Sequence, residues 1–366
     1  MMPGDLPVML DDLEELVLCE SFSSDLGAVA TSAGVVATLG ARHLGVRPEP
    51  IVIDGVTHLR WSFGTPRVLL LGHHDTVWPT GSLREHPWSV TDGVARGPGV
   101  FDMKAGLVQL FHALRSLTSL DGVCVLVTGD EEVGSPTSRA LIEQSAEGCS
   151  AALVLEASAD GGALKTARKG VSRYRLAVHG RAAHAGLEPE KGANAGVELA
   201  HQVVAIAAMA GPESPTSVTP TVLTAGMSEN TVPAQAVVAV DVRTPDLAAQ
   251  GLVDTWMRAL SPRLAGTRLE LTGGPNRPPM DATSSSALFK LAEQVATELG
   301  LGPLRGVAVG GASDGNFTAG AGCPTLDGLG AVGGGAHAAH EHVIVAEMPR
   351  RTALLAGLVE AILEGR

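Results

Sequence analysis

The sequence predicts an α/β fold into which a second, smaller α+β domain is inserted. Three observations support this prediction. The chain has 366 residues, which exceeds the usual size of a single hydrophobic core. Buried strand-like runs alternate with helix-like segments in its first part. Between about residue 170 and residue 276 the pattern changes to strands in which apolar and polar residues alternate.

In the predicted α/β domain, continuous apolar runs indicate strands buried on both faces, and helical periodicity indicates the connecting helix. The strands are RVLLLG (67–72), GVCVLVTGD (122–130) and AALVLEAS (151–158), and the helix is MKAGLVQLFHALRSL (103–117). Such alternation is typical of parallel βαβ units. His, Asp or Glu repeatedly follows these runs, and open α/β sheets bind ligands at the C-terminal ends of their strands.

The inserted domain is expected at residues 169–276, which leaves residues 1–168 and 277–366 for the α/β domain. Strands and helices are predicted in it in the order VSRYRLAVHG (171–180, strand), NAGVELAHQVVAIAAMA (194–210, helix), AQAVVAVDVRT (234–244, strand), DLAAQGLVDTWMRAL (246–260, helix) and TRLELTGG (267–274, strand). The βα pattern then returns, and a C-terminal helix is predicted over 346–364.

Composition argues against several classes of function. The net charge of −13 disfavours a nucleic-acid partner, which needs clustered Lys and Arg, but allows an anionic small substrate held by one or two cations. The four cysteines form no CxxC pair, so a thiolate zinc site is not expected. The sequence contains no apolar run of about 18 residues, so no membrane span is predicted. The acidic N-terminus lacks the basic start of a signal peptide, so a cytoplasmic enzyme is expected.

Two histidines and an aspartate, His73, His74 and Asp75, follow the first buried strand. Alternate residues of a strand share a face, so His73 and Asp75 should point one way and His74 the other. A metal-bound imidazole usually donates its second N–H to a carboxylate, and a His-x-Asp pair offers that contact. A hydrogen-bonded core histidine is the alternative interpretation.

Carboxylates occur at three further positions of this kind. Asp102 lies between a Gly-rich turn and a helix start, where a helix N-cap is the simpler role. In VTGDEEVGS (127–135) three carboxylates follow a buried strand, and their repulsion requires either a cation or an exposed turn. Glu156 ends a run apolar enough to be buried, and a buried carboxylate needs a partner.

The segment GLGAVGGGAHAAHEHV (328–343) contains three histidines, and His337 follows a glycine run that allows close approach of the backbone. Its first six residues match GxGxxG. A dinucleotide site opens a helix early in its fold, so a nicotinamide-dependent oxidoreductase is a remote alternative.

Together these residues place histidines and carboxylates at one edge of one predicted sheet. Zinc takes nitrogen and oxygen ligands from His, Asp and Glu. Two metal ions about 3.5–4 Å apart, bridged by one carboxylate, are suited to hydrolysis of an amide. The sequence therefore predicts a cluster of two zinc ions, with Co or Mn as the alternative metals.

Most of the chain carries, in order, the motifs GHHDTV, GPGVFDMKAG, GDEEVGS, LVLEAS, GRAAHAG, NRPPM, GGASDGN and GGGAH. In this order and spacing they resemble the co-catalytic zinc hydrolases that include glutamate carboxypeptidase, acetylornithine deacetylase, succinyl-diaminopimelate desuccinylase and aminoacylase. The resemblance implies a zinc-peptidase α/β/α catalytic domain. It also implies that the inserted domain is ferredoxin-like and serves as a lid and dimerisation domain.

The resemblance implies that five residues bind the two zinc ions: His73 and Glu156 the first, Glu132 and His337 the second, and Asp102 both. It also implies that Glu131 is the general base, that Asp75 orients His73, and that a cis peptide often follows the bridging aspartate. His74, His340 and His342 are given structural roles, and His340 is the chief rival of His337. A glutamate at position 156 resembles the glutamate carboxypeptidase and deacetylase branch more than the aminoacylase branch.

The resemblance extends to substrate contacts and to a partner subunit. His184 matches a histidine that reaches the neighbouring subunit's site, which implies a homodimer held by the inserted domain; a turn histidine is the alternative. Three residues match substrate-binding positions: Asn230, Arg243 and Arg277. Arg277 would hold a carboxylate bidentately unless it is a solvated loop arginine. The loop with Gly310, Gly311 and Ser313 would bind a carboxylate through backbone N–H groups.

The leading hypothesis is a two-zinc hydrolase that cleaves the amide bond of an N-acyl or peptidyl amino acid with a free carboxylate, as a glutamate carboxypeptidase does. The substrate would be a small molecule or a peptide. An N-acyl amino acid deacetylase or desuccinylase is the alternative enzyme. A non-catalytic binding protein on the same scaffold is a further alternative, although no expected ligand or base is missing from the sequence.

Overall fold

The computed structural model describes residues 6–366 and divides into two compact units. The first unit contains the chain up to Ala167, Met280–Val309 and Ser313–Arg366, and the second contains Arg168–Pro279 and Gly310–Ala312. Residues 1–5, which belong to the N-terminal segment used for the signal-peptide prediction, lie outside the described residues. Among residues 6–366, no helix has both the length and the apolar character needed to cross a membrane.

The helices are α1 (Leu6–Leu18), α2 (Leu26–Leu44), α3 (Ala105–Arg115), α4 (Arg139–Ala146), α5 (Ala195–Ala207), α6 (Leu247–Arg258), α7 (Ala282–Glu298), α8 (Gly315–Gly320) and α9 (Glu347–Glu364). The strands are β1 (Glu49–Ile53), β2 (Val56–Phe63), β3 (Val68–His73), β4 (Ser89–Thr91), β5 (Val94–Arg96), β6 (Val123–Thr128), β7 (Ala151–Val154), β8 (Leu164–Arg168), β9 (Gly170–His179), β10 (Ser217–Ala225), β11 (Gln235–Thr244), β12 (Arg268–Arg277), β13 (Gly306–Val309), β14 (Thr325–Leu326), β15 (Gly333–Gly334) and β16 (His342–Ile344).

A six-stranded sheet in the order β1-β2-β6-β3-β7-β14 lies at the centre of the first unit. The four strands from β6 to β14 run parallel, as predicted, whereas β1 and β2 form an antiparallel hairpin at the edge. Sequence reasoning missed this hairpin, although Asp54-Gly55 between two apolar runs is a turn signal. Both turn residues have positive φ, 49° and 84°, which Asp tolerates and Gly adopts freely.

The central strands are buried on both faces, which explains their continuous apolar sequences. In β3, Leu70 packs into a core that includes α1, α2, α3 and α9. Leu69 and Leu71 pack on the opposite face, in a core with residues of α4 and α8. This layering of helices on both sides of one sheet confirms the predicted α/β/α class.

The second unit has the chain order β9-α5-β10-β11-α6-β12, and its antiparallel sheet has the order β10-β11-β9-β12. This is the predicted ferredoxin-like topology. All the predicted strands and helices are present, but β10 was not predicted. Pro220 interrupts its apolar run and most of its side chains are exposed, because β10 is an edge strand on which Pro is tolerated.

Candidate metal centre

Three parallel strands deliver polar residues to one edge of the central sheet. β3 ends at His73, and Glu131 and Glu156 follow shortly after the ends of β6 and β7. Because β6, β3 and β7 are parallel neighbours, their C-terminal ends meet. His73, Glu131 and Glu156 each bring one nitrogen or oxygen atom within 4.8 Å of the others.

Two turns supply the remaining members of the cluster. Asp102 lies between Gly99, whose φ is 70°, and the start of α3, and its peptide bond to Met103 is cis. Its side chain does not cap α3, so the N-cap interpretation is wrong. His337 ends the glycine run with a positive φ of 63°.

The two oxygens of Asp102 face two different histidines. Oδ1 lies 3.3 Å from His73 Nε2, which is 3.6 Å from Glu156 Oε1. Oδ2 lies 3.3 Å from His337 Nε2, which is 3.1 Å from Glu132 Oε2. The cluster therefore consists of two sets of side chains that share one carboxylate.

These separations fit ligands of a common ion better than direct hydrogen bonds. Two ligands of a tetrahedral zinc, each about 2.0–2.1 Å from the ion, lie about 3.3 Å apart, whereas an N–H···O hydrogen bond measures about 2.9 Å. His73 Nε2, Asp102 Oδ1 and Glu132 Oε1 are buried and have no hydrogen-bond partner among residues 6–366. Buried polar atoms need partners, and one cation held by each set would satisfy these three.

Negative charge dominates the cluster. The carboxylates of Asp102 and Glu132 raise the pKa of His337 to about 10, because both stabilise its protonated form. Burial opposes ionisation of Asp102, but His337 and His73 outweigh burial and hold the pKa of Asp102 well below its usual range. The cluster thus attracts positive charge, which divalent cations would supply.

A second group of metal-type side chains, Asp12, His43 and His112, differs from this cluster in geometry. Asp12 Oδ2 lies 2.7 Å from Nε2 of each imidazole, and Asp12 Oδ1 accepts a hydrogen bond from Arg42 at 2.8 Å. These are hydrogen-bond lengths. We therefore assign this trio a structural role in joining α1, α2 and α3.

Asp75 contacts both the histidine and the glutamates of the cluster. His73 Nδ1 lies 3.0 Å from the backbone oxygen of Asp75 and 3.4 Å from its Oδ1. The carboxylate accepts hydrogen bonds from the backbone N–H groups of Glu131 and Glu132, both at 3.2 Å, and from Ser23 Oγ at 2.7 Å. The closer contact to the imidazole is therefore made by the backbone of Asp75, and its side chain holds the two glutamates.

Two neighbours of the cluster point away from it. Asp130, the first of the three consecutive acidic residues, accepts hydrogen bonds from Thr137 and Ser138, so only Glu131 and Glu132 remain at the cluster. His74 Nε2 lies 3.0 Å from the backbone oxygen of Thr57, and burial lowers the pKa of His74 to about 4. A neutral, hydrogen-bonded imidazole of this kind has a structural role.

Sequence reasoning missed Glu341, whose carboxylate accepts a hydrogen bond from the backbone N–H of Asp102 at 3.0 Å. Its position four residues after His337 was the available signal. The residue lies in a turn, where no periodicity distinguishes a buried side chain from an exposed one.

The four side chains predicted to contact substrate or a partner subunit, His184, Asn230, Arg243 and Arg277, lie in the second unit. His184 and Asn230 are exposed neighbours, because the N–H of Ala185 donates to the backbone oxygen of Asn230 at 2.9 Å. Arg243 forms an ion pair with Asp241 at 2.8 Å. Arg277 is buried at the end of β12, so the alternative of a solvated loop arginine is wrong.

The predicted glycine-rich loop is divided between the units. Gly310 and Gly311 belong to the second unit, and Ser313 belongs to the first. The N–H of Ser313 donates to Asn316 Oδ1 at 2.9 Å and its hydroxyl donates to Asp327 at 2.6 Å. The expectation that Ser313 offers its N–H to a substrate carboxylate is therefore wrong.

Comparison with known proteins places these motifs in a family. A model of peptidase family M20/M25/M40 matches residues 69–361. The chain belongs to this family. Carboxypeptidase G2 of Pseudomonas sp. (strain RS-16) is 30% identical to this chain over 376 aligned residues. The alignment covers 96% of this chain and 89% of that protein. Succinyl-diaminopimelate desuccinylase of Methylorubrum populi is 28% identical, covering 81% of this chain and 82% of that protein.

Solved structures share the fold of this M20/M25/M40 chain. An M20 family metallo-carboxypeptidase from Sulfolobus solfataricus has a TM-score of 0.76 at 16% identity and covers 99% of both chains. A tripeptidase from Staphylococcus aureus has a TM-score of 0.75 at 19% identity and covers 98% of this chain and 99% of that chain.

Family membership and the relatives identify the chain as a metal-dependent amide hydrolase, which confirms the predicted class of reaction. The GxGxxG match at 328–333 ends in the short strand β15 (Gly333–Gly334) and does not lead into a helix. That segment therefore lacks the structure of a dinucleotide site, and the oxidoreductase alternative is wrong.

Proposed function

We propose that this chain is a two-zinc hydrolase that cleaves the amide bond of an N-acyl or peptidyl amino acid with a free carboxylate. The observation that carries the proposal is that Asp102 presents one oxygen to each of two His–carboxylate pairs. Five residues are assigned as ligands: His73 and Glu156 for one ion, Glu132 and His337 for the other, and Asp102 for both.

Glu131 is assigned as the general base. Zinc at this centre would lower the pKa of water toward about 7 and polarise the scissile carbonyl. Glu131 is buried beside His73 and Glu156, where its carboxylate can accept a proton from the attacking water and deliver it to the leaving amine nitrogen. The hydrogen bond from the Glu131 backbone to Asp75 fixes the segment that carries this base.

Arg277 is assigned as the principal contact of the substrate carboxylate. A guanidinium binds a carboxylate through two parallel hydrogen bonds. Arg277 is buried at the end of β12. The other predicted arginine, Arg243, makes two such bonds to Asp241, at 2.8 and 3.0 Å, and is assigned a supporting contact. Asn230, Gly310 and Gly311 are assigned supporting contacts on the basis of the family resemblance alone.

His184 is assigned as a hydrogen-bond donor to the oxyanion that forms in the transition state, supplied to the site of a second copy of the chain. Its Nδ1 accepts hydrogen bonds from the N–H groups of Gly186 and Leu187 at 3.1 and 3.2 Å. A neutral imidazole that accepts at Nδ1 carries its proton on Nε2, so the exposed nitrogen is a donor. Fixed donors of this kind stabilise developing negative charge.

Exposed apolar side chains of the second unit support a homodimer. Met227, Leu187 and Val222 are 103%, 75% and 65% exposed. Apolar surface of this kind is a feature of interaction sites. Zinc as the metal, the homodimer and the cytoplasmic location remain predictions.

An N-acyl amino acid deacetylase or desuccinylase is the second candidate, supported by the desuccinylase relative at 28% identity. The carboxypeptidase is preferred because its relative has the higher identity, 30% against 28%. A non-catalytic scaffold is disfavoured, because the proposed base and all five proposed ligands are present together.

Metal analysis combined with a substrate panel tests the proposal. The purified protein should hold about two zinc ions per chain. The value of kcat/KM should be highest for acyl- or peptidyl-glutamates. A preference for N-acetylornithine or N-succinyl-diaminopimelate would favour the second candidate, and the absence of turnover on every amide would favour the non-catalytic scaffold.

A further inference from the structure

Glu341 has an unusually complete set of hydrogen bonds. Its side chain is buried, with 3% of the residue exposed. Oε1 accepts from the backbone N–H groups of Phe101 and Asp102 at 2.9 and 3.0 Å. Oε2 accepts from the backbone N–H of Gly99 at 3.1 Å and from the indole N–H of Trp78 at 2.6 Å.

We propose that Glu341 is a positioning residue. It fixes the position of the shared ligand Asp102 relative to the ligand His337. This inference rests on the proposed two-metal centre. Glu341 lies 239 residues from Asp102 in sequence, but only four residues after His337. A single carboxylate therefore connects the turn that carries the shared ligand to the turn that carries a ligand of only one set.

The turn before α3 depends on Glu341 for its backbone hydrogen bonds. Backbone N–H groups in a buried turn have no partner in a helix or a sheet and need an acceptor from elsewhere. Glu341 supplies that acceptor to Gly99, Phe101 and Asp102 together. The backbone that carries the Asp102 carboxylate is thereby fixed while both of its oxygens stay directed at the histidines.

The turn that contains His337 is equally constrained at Glu341. The N–H of Glu341 donates to the backbone oxygen of Ala338 at 2.9 Å. Gly335 has a φ of 77°, and a Cβ atom there would lie only 2.9 Å from the nitrogen of Glu341. A displacement of Glu341 would therefore move both His337 and Asp102. Metal affinity should change as a result, because residues that orient metal ligands affect it.

The competing explanation is that Glu341 only satisfies buried backbone groups. Glu198 provides a matched control, because it is fully buried in the second unit and accepts hydrogen bonds from the N–H groups of Arg263 and Leu264. Its carboxylate also accepts from Gln202 and Thr267. Glu198 resembles Glu341 in burial and bonding but supports no proposed ligand.

The test compares wild type, Glu341→Gln and Glu198→Gln after removal of metal. Each protein is titrated with Zn²⁺ against a chromophoric chelator and with Co²⁺ by visible absorption, and the thermal unfolding of each metal-free protein is recorded. Glu341→Gln should bind at least one ion about 10–100-fold more weakly and change the Co²⁺ spectrum. Glu198→Gln should lose a similar amount of stability but bind both ions as wild type does.

Wild-type metal affinity and Co²⁺ spectrum in Glu341→Gln would overturn the proposal. If wild type itself fails to bind two ions, the proposed two-metal centre is wrong, and the proposed role of Glu341 is then wrong as well. If Glu341→Gln does not fold, Trp78→Phe carries the test. Loss of that one hydrogen bond should lower the affinity for at least one ion about 3–10-fold. Unchanged affinity would again overturn the proposal.

Discussion

The carboxylate of Asp75 accepts a hydrogen bond from the backbone N–H of Glu131, with 3.2 Å between Oδ1 and the nitrogen. The next N–H along the chain, that of Glu132, reaches Oδ2 at the same distance. The backbone oxygen of Asp75 lies 3.0 Å from His73 Nδ1. One residue thus orients a proposed base and two proposed ligands.

Asp75→Asn should reduce both metal affinity and turnover. An asparagine keeps one acceptor oxygen, but its NH₂ group would face one of the two backbone N–H groups. A loss of about 10–100-fold is expected, as for other partners that orient metal ligands, and is measured by zinc titration and kcat/KM. Asp254→Asn, which alters a carboxylate bonded to Tyr174 and Arg258 in the second unit, should leave metal affinity unchanged. Unaltered zinc binding in Asp75→Asn would contradict this assignment.

Glu131→Gln should lower kcat about 10²–10⁴-fold, which is the usual contribution of general acid–base catalysis. Zinc content, measured by elemental analysis, should stay at the wild-type level because Glu131 is not a proposed ligand. Glu143→Gln, an exposed change on α4, serves as the control and should retain full activity. Near-normal turnover in Glu131→Gln would exclude it as the base.

Removal of metal should abolish activity and lower the unfolding temperature. Without cations, the ligand carboxylates of Asp102 and Glu132 lie within 4.8 Å of each other in a partly buried cluster. Zinc at about 100 times its dissociation constant should stabilise the fold by about 2.7 kcal/mol per site. The measurement is thermal unfolding of the metal-free protein at increasing free zinc. His337→Ala should show a smaller increase, and a zinc-independent wild-type unfolding temperature would refute the centre.

If His184 acts in the site of a partner subunit, two inactive variants should complement each other. His184→Ala retains its own Glu131, and Glu131→Ala can supply His184 to it. After equal mixing and subunit exchange, about a quarter of the sites should contain both residues. Activity of the mixture is compared with that of each variant alone. Persistent inactivity despite demonstrated exchange would show that both residues serve the same subunit.

Stability at acid pH should depend on Asp12. Burial raises the pKa of Asp12, but hydrogen bonds with His112 and His43 outweigh burial and lower it far below the usual value. The depressed pKa stabilises the fold above the unfolded value of about 3.9, and this contribution is lost as pH falls below it.

Asp12→Asn should therefore be less stable than wild type at pH 7 and should lose less stability on acidification. Urea denaturation of the metal-free proteins at several pH values measures both effects. The exposed neighbour Asp11→Asn is the control and should follow wild type. Parallel pH profiles for wild type and Asp12→Asn would contradict the assigned role of this carboxylate.

Local sequence was sufficient to predict the strands that end at or just before His73, Glu131 and Glu156. Strands buried on both faces must be apolar throughout, so a polar residue directly after such a run is conspicuous. Parallel pairing brings those strand ends to one edge, and the structure shows this pairing between β3, β6 and β7. The same reasoning failed for β10, because an exposed edge strand containing proline lacks the apolar pattern of a central strand.

The sequence by itself determined the fold class, the class of reaction and the set of side chains available for the metal centre. Only the tertiary structure decided which of them meet: Asp102 faces both His73 and His337, and Asp130 points away from the cluster. It alone revealed Glu341, which bonds to Asp102 across 239 residues of chain. The physical reason is that hydrophobic periodicity is a local property, whereas hydrogen bonds and ligand sets depend on turns that only the complete fold brings together.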